Sequence, residues 1–416
     1  MRLSVVLMSF TIYNFDTQHH GEATLILFNS VIHIVDFGIN AYDRYVSILN
    51  VVDEARRIIK SMSEGSNVEA VITHLHIDHF SLIPNIIDKL NVVYIPGIPM
   101  EPPELRDYFL MLNAINLVLL DMIGWSRALE EVLNKSDYNI KHLYRGDLVP
   151  VDNHIMMKII WPPISFQDIS RAEEIIDELI NYLRSLYCIA NDAVKKHEAS
   201  KKVKEKIEWL CKIYDIKPPL TEEYEKLCRK NSVYSYSKHR RCILPKESVD
   251  VDRLLRCIDK ALNDFSLVIE YRYHKDGEDL PIIIIPGDAS NKTLDYIALL
   301  EKGKRKDICL FMRGAHHGTH YGKYLDLYAP IVTWLSRPPQ AYHYRRKYEE
   351  ITLLKVLKAK MFRKMKFSAS LINKYSILAH LSADVNKYSS LVMSITYDIN
   401  ALMHLNINVK NTIHNK

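Results

Sequence analysis

The stretch VITHLHIDHF, Val71 to Phe80, sets His74, His76, Asp78 and His79 directly behind a short apolar run. In an extended segment leaving a strand, alternate side chains face the same way, so His74, His76 and Asp78 are expected to converge while His79 points elsewhere. Neutral imidazoles suit zinc, iron or manganese, and the carboxylate with the neighbouring imidazole supplies donors for a second ion close by. Unrelated polar residues in a surface loop would rarely crowd this way behind an apolar strand.

Around that stretch the composition is that of a compact folded chain. Hydrophobic residues make up 48% of the 416 and charged residues 25%, and only 12 are glycine, which excludes a low-complexity or flexible chain. The length holds two or three domains, or one large domain carrying an insertion. A net charge of +5 is small for this size, so any argument for nucleic-acid or membrane binding must come from local patches. Cys188, Cys211, Cys228, Cys242, Cys257 and Cys309 include no CxxC pair, and all but the last lie in one helix-rich region. That fits neither a zinc ribbon nor a disulfide framework and predicts reduced thiols in a cytoplasmic protein. The opening MRLSVVLMSFTIYNF reads as a first strand rather than a signal peptide, since no small-residue cleavage site follows. No window reaches the ~18 consecutive apolar residues of a membrane span, so no membrane partner is expected.

Outward from Val71–Phe80, short apolar segments such as ATLILF, VIHIVDFG, VEAVITH, NVVYIPG and HIMMKIIW alternate with helical stretches, YVSILNVVDEARRIIKSM and SLIPNIIDKL among them. This is the pattern of an α/β domain. From Asp168 to Ala261 the texture changes to Glu, Lys, Leu and Ile at helical spacing, as in RAEEIIDELINYLRSLY and VKKHEASKKVKEKIEWLCKIY, broken at Lys217–Pro219. Strand texture returns in FSLVIEYRY, LPIIIIPGDAS and DICLFMRGAHHG. Residues 1–165 and 263–340 are therefore read as two halves of one α/β domain. Residues 166–262 form a helical insertion between them, and 341–416 a C-terminal extension with a basic helix and strands.

His74, His76, Asp78 and His79 match every position of a strand followed by His-x-His-x-Asp-His, and in this the chain resembles the metallo-β-lactamase superfamily. The resemblance implies a four-layer αββα sandwich with metals at one edge of its two sheets. It makes Asp36, in HIVDFG, a residue that holds the metal loop by hydrogen bonds, and Asp288, in IIIIPGDAS, the carboxylate bridging both metals. One of His316 and His317, in RGAHHGTHYG, becomes the late metal ligand, the other facing substrate with His320. Taken alone, the Asp36 segment is equally a turn after a buried strand, and a strand ending in Gly-Asp is common. The residues do not decide between His316 and His317. His142 and His154 are candidates for a further ligand, but neither has a glycine-rich setting and none is assigned.

Within the superfamily, HGEATLIL, VIHIVDFG, YRGDLVPV, NDFSLVIEY, IIIIPGDAS and the His-His-Gly turn are similar to the subgroup containing the hydrolase domain of the bacterial competence DNA-uptake channel protein. That likeness implies two divalent ions, zinc or, with the same donors, manganese or iron. It also implies a hydrolase in which a metal-bound hydroxide attacks and Asp78 orients it, most naturally a phosphodiesterase acting on nucleic acid or nucleotides. Basic runs with Lys195, Lys196, Lys201 and Lys202, with Arg240 and Arg241, and with Arg345 and Arg346 are candidates to hold phosphates. Interspersed Glu198, Glu205, Glu349 and Glu350 equally fit solvated helix faces. Two other readings stay open: a hydrolase of small esters, lactones or phosphocholine-like groups with the insertion as a lid, and a regulatory or partner-binding protein with a vestigial metal site.

Overall fold

The computed structural model describes residues 9–15, 21–39, 48–62, 65–122, 127–136, 139–166, 172–230, 251–275, 278–301, 307–335, 344–352, 377–379, 391–398 and 406–411. Within them the chain is an α/β protein of two mixed sheets with helices packed on them. Strands β1 (Ser9–Phe15), β2 (Ala23–Leu27), β3 (Val31–Phe37), β4 (Asn67–Val71), β5 (Val92–Pro96) and β6 (Ile140–Leu143) enter the first sheet. The second is built from β7 (Leu148–Asp152), β8 (Ile155–Trp161), β9 (Val268–Lys275), β10 (Glu278–Ile285), β11 (Asp307–Arg313), β12 (Tyr328–Trp334) and β13 (Ile377–Ala379). Then β14 (Leu391–Asp398) and β15 (Asn406–Asn411) return to the first.

The two sheets follow one plan. The first has the order β15-β14-β1-β2-β3-β4-β5-β6, antiparallel up to β3 and parallel from β3 to β6. The second, β13-β12-β11-β10-β9-β8-β7, is antiparallel from β7 to β10 and parallel from β10 to β13. Parallel neighbours need crossovers, and helices supply them. Helix α1 (Ile48–Met62) joins β3 to β4, and the one-turn helices α2 (Ile77–Phe80) and α3 (Ile83–Ile86) lie between β4 and β5. Helices α4 (Pro103–Met122) and α5 (Arg127–Asn134) precede β6. Among the described residues four more stand between β8 and β9: α6 (Ala172–Lys196), α7 (Ser200–Tyr214), α8 (Thr221–Lys230) and α9 (Val251–Leu262). Helix α10 (Asn291–Leu300) links β10 to β11, and α11 (Arg345–Ile351) follows β12.

The sheets share a core. Ile26, Val35 and Val71 of the first meet Met157, Ile269, Tyr271 and Ile283 of the second. Burial on both faces explains why β10 ends in a run of isoleucines instead of alternating. A second cluster joins the outer faces to the helices, with α4 at its centre. Tyr108, Leu112, Ile115 and Leu119 are fully buried there, beneath α6, α7 and α9 through residues such as Leu183, Ile207, Leu254 and Ile258.

Several expectations are corrected. SLIPNIIDKL is helical for one turn only, Ile83–Ile86, with Pro84 in that turn. The long helical stretch before Tyr214 is two helices, because Glu198 takes a left-handed φ of 54° between α6 and α7. The thiols are not all reduced: Cys188 of α6 and Cys228 of α8 form a disulfide across 40 residues, and Cys257 is also disulfide-bonded. Helix packing brought these residues together without any CxxC spacing. Such bonds are uncommon in reducing compartments, so the cytoplasmic expectation loses its thiol argument. No helix among the described residues is long and apolar enough to cross a membrane. Of the basic helix expected from Tyr342, residues 345–351 are helical, and its continuation from 353 lies outside the described residues.

Candidate metal centre

The carboxyl ends of the parallel strands β3, β4, β10 and β11 meet at one place, the usual position of a site in an open α/β sheet. Asp36 is the penultimate residue of β3, residues 73–80 follow β4, Asp288 follows β10, and residues 314–320 follow β11. Backbone hydrogen bonds lock these segments. Gly38 N donates to Glu22 O at 2.9 Å, Glu22 N to Asp78 O at 3.1 Å, and His316 N to Gly287 O at 3.0 Å. Glycine is required where backbone closes on backbone: a Cβ on Gly38 would lie 2.6 Å from Asp78 C, and one on Gly287, at φ +53°, 2.8 Å from Leu267 O.

Residues 73–80 are not extended throughout. Ile77–Phe80 make one helical turn, anchored by buried Ile77 and Phe80. That turn overrides the expectation that His79 points elsewhere, because it swings the imidazole into the cluster, with Nε2 3.6 Å from Asp288 Oδ1 and 3.8 Å from Asp78 Oδ1. His74 Nε2 lies 3.8 Å from Asp288 Oδ2 and 2.7 Å from His76 Nδ1. Across the site, consecutive left-handed residues, His316 at φ 46° and His317 at φ 57°, aim neighbouring imidazoles apart. His317 is buried with Nε2 3.4 Å from Asp78 Oδ2, whereas His316 stands at the rim with Nε2 3.6 Å from Asp288 Oδ2. Three overlapping donor groups result, His74/His79/Asp288, Asp78/His79/His317 and Asp288/His316/His317, with donor atoms within 4.8 Å of one another in each.

Behind these donors stands a layer that sequence reasoning found only at Asp36. Its Oδ1 accepts from Thr73 N at 2.8 Å and its Oδ2 from Thr73 Oγ1 at 2.9 Å, while His79 Nδ1 lies 3.2 Å from Oδ2. Thr73 Oγ1, its proton given to Asp36, faces His74 Nδ1 at 3.1 Å. Glu22 Oε1 lies 3.0 Å from His317 Nδ1. An ionised carboxylate only accepts, and the Thr73 hydroxyl already donates to Asp36, so the Nδ1 protons of His74, His79 and His317 are held from behind and each Nε2 faces inward. Arg313, 1% exposed, bonds Asp36 and lies 3.7 Å from Glu22. Glu22 sits inside HGEATLIL and Arg313 inside FMRGAHHG with no local pattern to single them out.

The electrostatics follow from this crowding. Burial raises the carboxyl pKa values of Asp36 and Glu22, but His79 and Arg313 for the first, and Arg313 and His317 for the second, hold both below the ordinary range. Burial disfavours charge on His317 too, yet Glu22 and Asp78 bring it up to about 9. His79 is likewise raised, by Asp36, Asp288 and Asp78. Burial and the neighbouring imidazoles push His74 down, and burial takes His76 to about 4. The centre thus packs carboxylates and imidazoles so closely that each shifts its neighbours.

The other predicted residues fall into place around it. His320 Nδ1 donates to Ala289 O at 3.1 Å, and its ring stands edge-on to His316 at 4.4 Å between centroids. The tail reaches the site through Tyr348, whose hydroxyl donates to His320 O at 2.6 Å and accepts from Ala315 N at 2.8 Å. Arg346 of α11 is exposed, and the side chain of Arg345 lies outside the described residues. In the first basic run Lys195 pairs with Glu225 at 2.8 Å, Lys201 with Glu205 at 3.9 Å and Lys202 with Asp121 at 3.4 Å. Lys196 is exposed, and Arg240 and Arg241 lie outside the described residues. His142 stacks on Tyr214 at 4.7 Å, and His154 packs against Tyr273. Neither belongs to a donor group among the described residues.

No family model and no curated protein matches this chain. Among solved structures 43 chains match. One is a protein of unknown function from Enterococcus faecalis V583, 13% identical, with a TM-score of 0.23 over 36% of this chain and 37% of that one. This chain thus spans little more than a third of that neighbour, and an overlap of that quality carries no inference about fold or function.

Proposed function

We propose that the chain is a metal-dependent hydrolase of metallo-β-lactamase type, acting on phosphodiesters of nucleic acids or nucleotides. The observation that carries this is the inward aim of three Nε2 atoms whose Nδ1 protons are held by Asp36, Thr73 and Glu22, the arrangement metal-binding histidines use. The residues fit divalent ions on a further count. His79 Nε2 and Asp288 Oδ1 are buried without a hydrogen-bond partner although they face each other at 3.6 Å, an arrangement that costs free energy unless something between them satisfies both. The sheet plan, with its sites at the parallel strand ends, supports the four-layer αββα reading.

His74, His79, Asp78, Asp288 and His317 would hold the ions, with His76 alongside, and zinc, manganese or iron suits this mixed imidazole and carboxylate set. Bound there, such ions acidify a water and polarise a phosphoryl oxygen. The chain's own part is orientation: Glu22 and Asp36 fix which imidazole nitrogen is bare, and Arg313 keeps both carboxylates ionised. His317 is the ligand of its pair because its Nδ1 is held by a carboxylate. His316, half-buried at the rim with Asn263 Nδ2 3.3 Å from its Nδ1, meets the substrate. Three of the four lysines of the first basic run, Lys195, Lys201 and Lys202, already face acids, which favours a short nucleotide-like phosphodiester over a polymer lying across α7.

The test is metal analysis of the purified protein, then hydrolysis of bis-p-nitrophenyl phosphate, single-stranded and duplex DNA, and RNA by wild type and Asp78→Ala. Bound metal and at least a hundredfold loss of rate in the variant are expected, on the order of what removing a transition-state stabiliser does. Metal-free wild type, or equal rates, would sink the reading.

A further inference from the structure

Helix α9 reaches the rim of the centre from a segment far along the chain. Leu254, Leu255, Ile258, Ala261 and Leu262 are buried in the core and fix how the helix is rotated. Asp259 and Asn263, four residues apart, then lie on one stripe beside that apolar face. Each meets a histidine from a different loop. Asp259 Oδ1 is 3.3 Å from His76 Nε2, and Asn263 Nδ2 is 3.3 Å from His316 Nδ1. Trp161 Nε1, donating to Asp264 O at 2.8 Å, pins the end of this segment to β8.

His76 differs from the other buried imidazoles. Its inward atom is Nδ1, 2.7 Å from His74 Nε2, so the two rings aim at a common point. Its Nε2 therefore faces outward, where it is buried and makes no aligned hydrogen bond. The acid it faces is Asp259, whose side chain is 41% exposed. We propose that Asp259 is the positioning residue of His76: its carboxyl group accepts the Nε2 proton, leaves Nδ1 bare and aimed inward, and so ties α9 to the metal centre. The inference rests on the metal centre proposed above. Desolvation of its inner side and the carboxylates of Asp78 and Asp288 push the Asp259 carboxyl above its usual range, and either protonation state keeps an oxygen able to accept. Glu22 and Asp36 do the same for His317 and His79 from the sheet ends, whereas Asp259 does it from a helix of the segment between β8 and β9. Docking of that segment thereby becomes a condition for a well-formed site.

The full chain loaded with Co(II) tests this, with affinity from competition titration, visible absorption of the bound ion, and the thermal midpoint of the metal-free protein all measured. Wild type must bind Co(II); failure there overturns the metal centre itself and this inference with it. Given binding, Asp259→Ala should weaken Co(II) affinity roughly 10–100-fold and change the absorption, while the metal-free midpoint stays at the wild-type value. Asp259→Asn, which keeps an accepting oxygen, should recover most of the affinity and the spectrum. Unchanged affinity and spectrum in Asp259→Ala would overturn the assignment. So would an Asp259→Asn variant as weak as Asp259→Ala, because the carboxylate charge and not its hold on Nε2 would then be what matters.

Discussion

The two loops that face each other across the centre are built by opposite means. Residues 73–80 place His79 with one regular helical turn after a bend that carries His74 and His76, and their backing, Asp36 and Thr73, lies on or just beyond adjacent parallel strands of the same sheet. Residues 314–320 use two consecutive left-handed histidines, and the buried one is backed by Glu22, which belongs to the other sheet's side of the molecule. The first loop carries its instructions locally, while the second depends on a partner almost three hundred positions away. Arg313 is where they join, since its guanidinium meets both Asp36 and Glu22.

Arg313→Met should therefore have the largest effect. It keeps the volume but strands two buried carboxylates, and breaking a buried pair this way destabilises by about 3–5 kcal/mol. Urea unfolding of the metal-free protein should show that loss, together with loss of metal binding at both loops. A midpoint equal to wild type would mean that the loops are not joined there.

The contrast also explains what the sequence let one read. The donors at Asp78, Asp288 and the histidines stand out because each follows an apolar run, and the alternation of strands and helices announced an α/β chain. Orientation was another matter. His79 looked misdirected because alternation in an extended segment is a poor guide once a helical turn intervenes. Glu22, Arg313 and Asp259 carry no local signal, since nothing in HGEATLIL or RCIDKAL distinguishes a residue that backs a histidine from an ordinary polar position. Helix α4 was missed for the opposite reason: covered on several sides by α6, α7 and α9, it has no polar stripe from which a helical period could be recognised. The lysines of α6 and α7 read as either phosphate contacts or a solvated face, and the structure places Glu225, Glu205 and Asp121 beside Lys195, Lys201 and Lys202.

Glu22→Gln strikes the second loop alone. The amide can still meet His317 but no longer carries the charge that raises its pKa to about 9, and it leaves Arg313 with Asp36 only. Metal affinity should fall roughly 10–100-fold at the ion held by His317 while the ion held by His74 and Asp288 stays. Titration with metal followed by stoichiometry at saturation separates the two. Equal loss of both ions would erase the distinction between the loops.

Thr73→Val strikes the first loop alone, and should do the least. The hydroxyl donates a hydrogen bond to Asp36 and presents its oxygen to His74 Nδ1 at 3.1 Å. Valine fills nearly the same space, so packing is largely kept while both hydrogen bonds go. Asp36 retains Thr73 N, His79 and Arg313 as partners, which leaves the His74 Nδ1 proton as the group without an acceptor. A neutral hydrogen bond of this kind contributes about 1 kcal/mol, roughly fivefold in affinity. The difference from Glu22→Gln then measures what charge adds over a hydroxyl as the backing of a metal-facing histidine. If Thr73→Val lost as much affinity as Glu22→Gln, the backing would act through ring orientation alone, and the ionic character that sets the second loop apart would have no role in how it holds a cation.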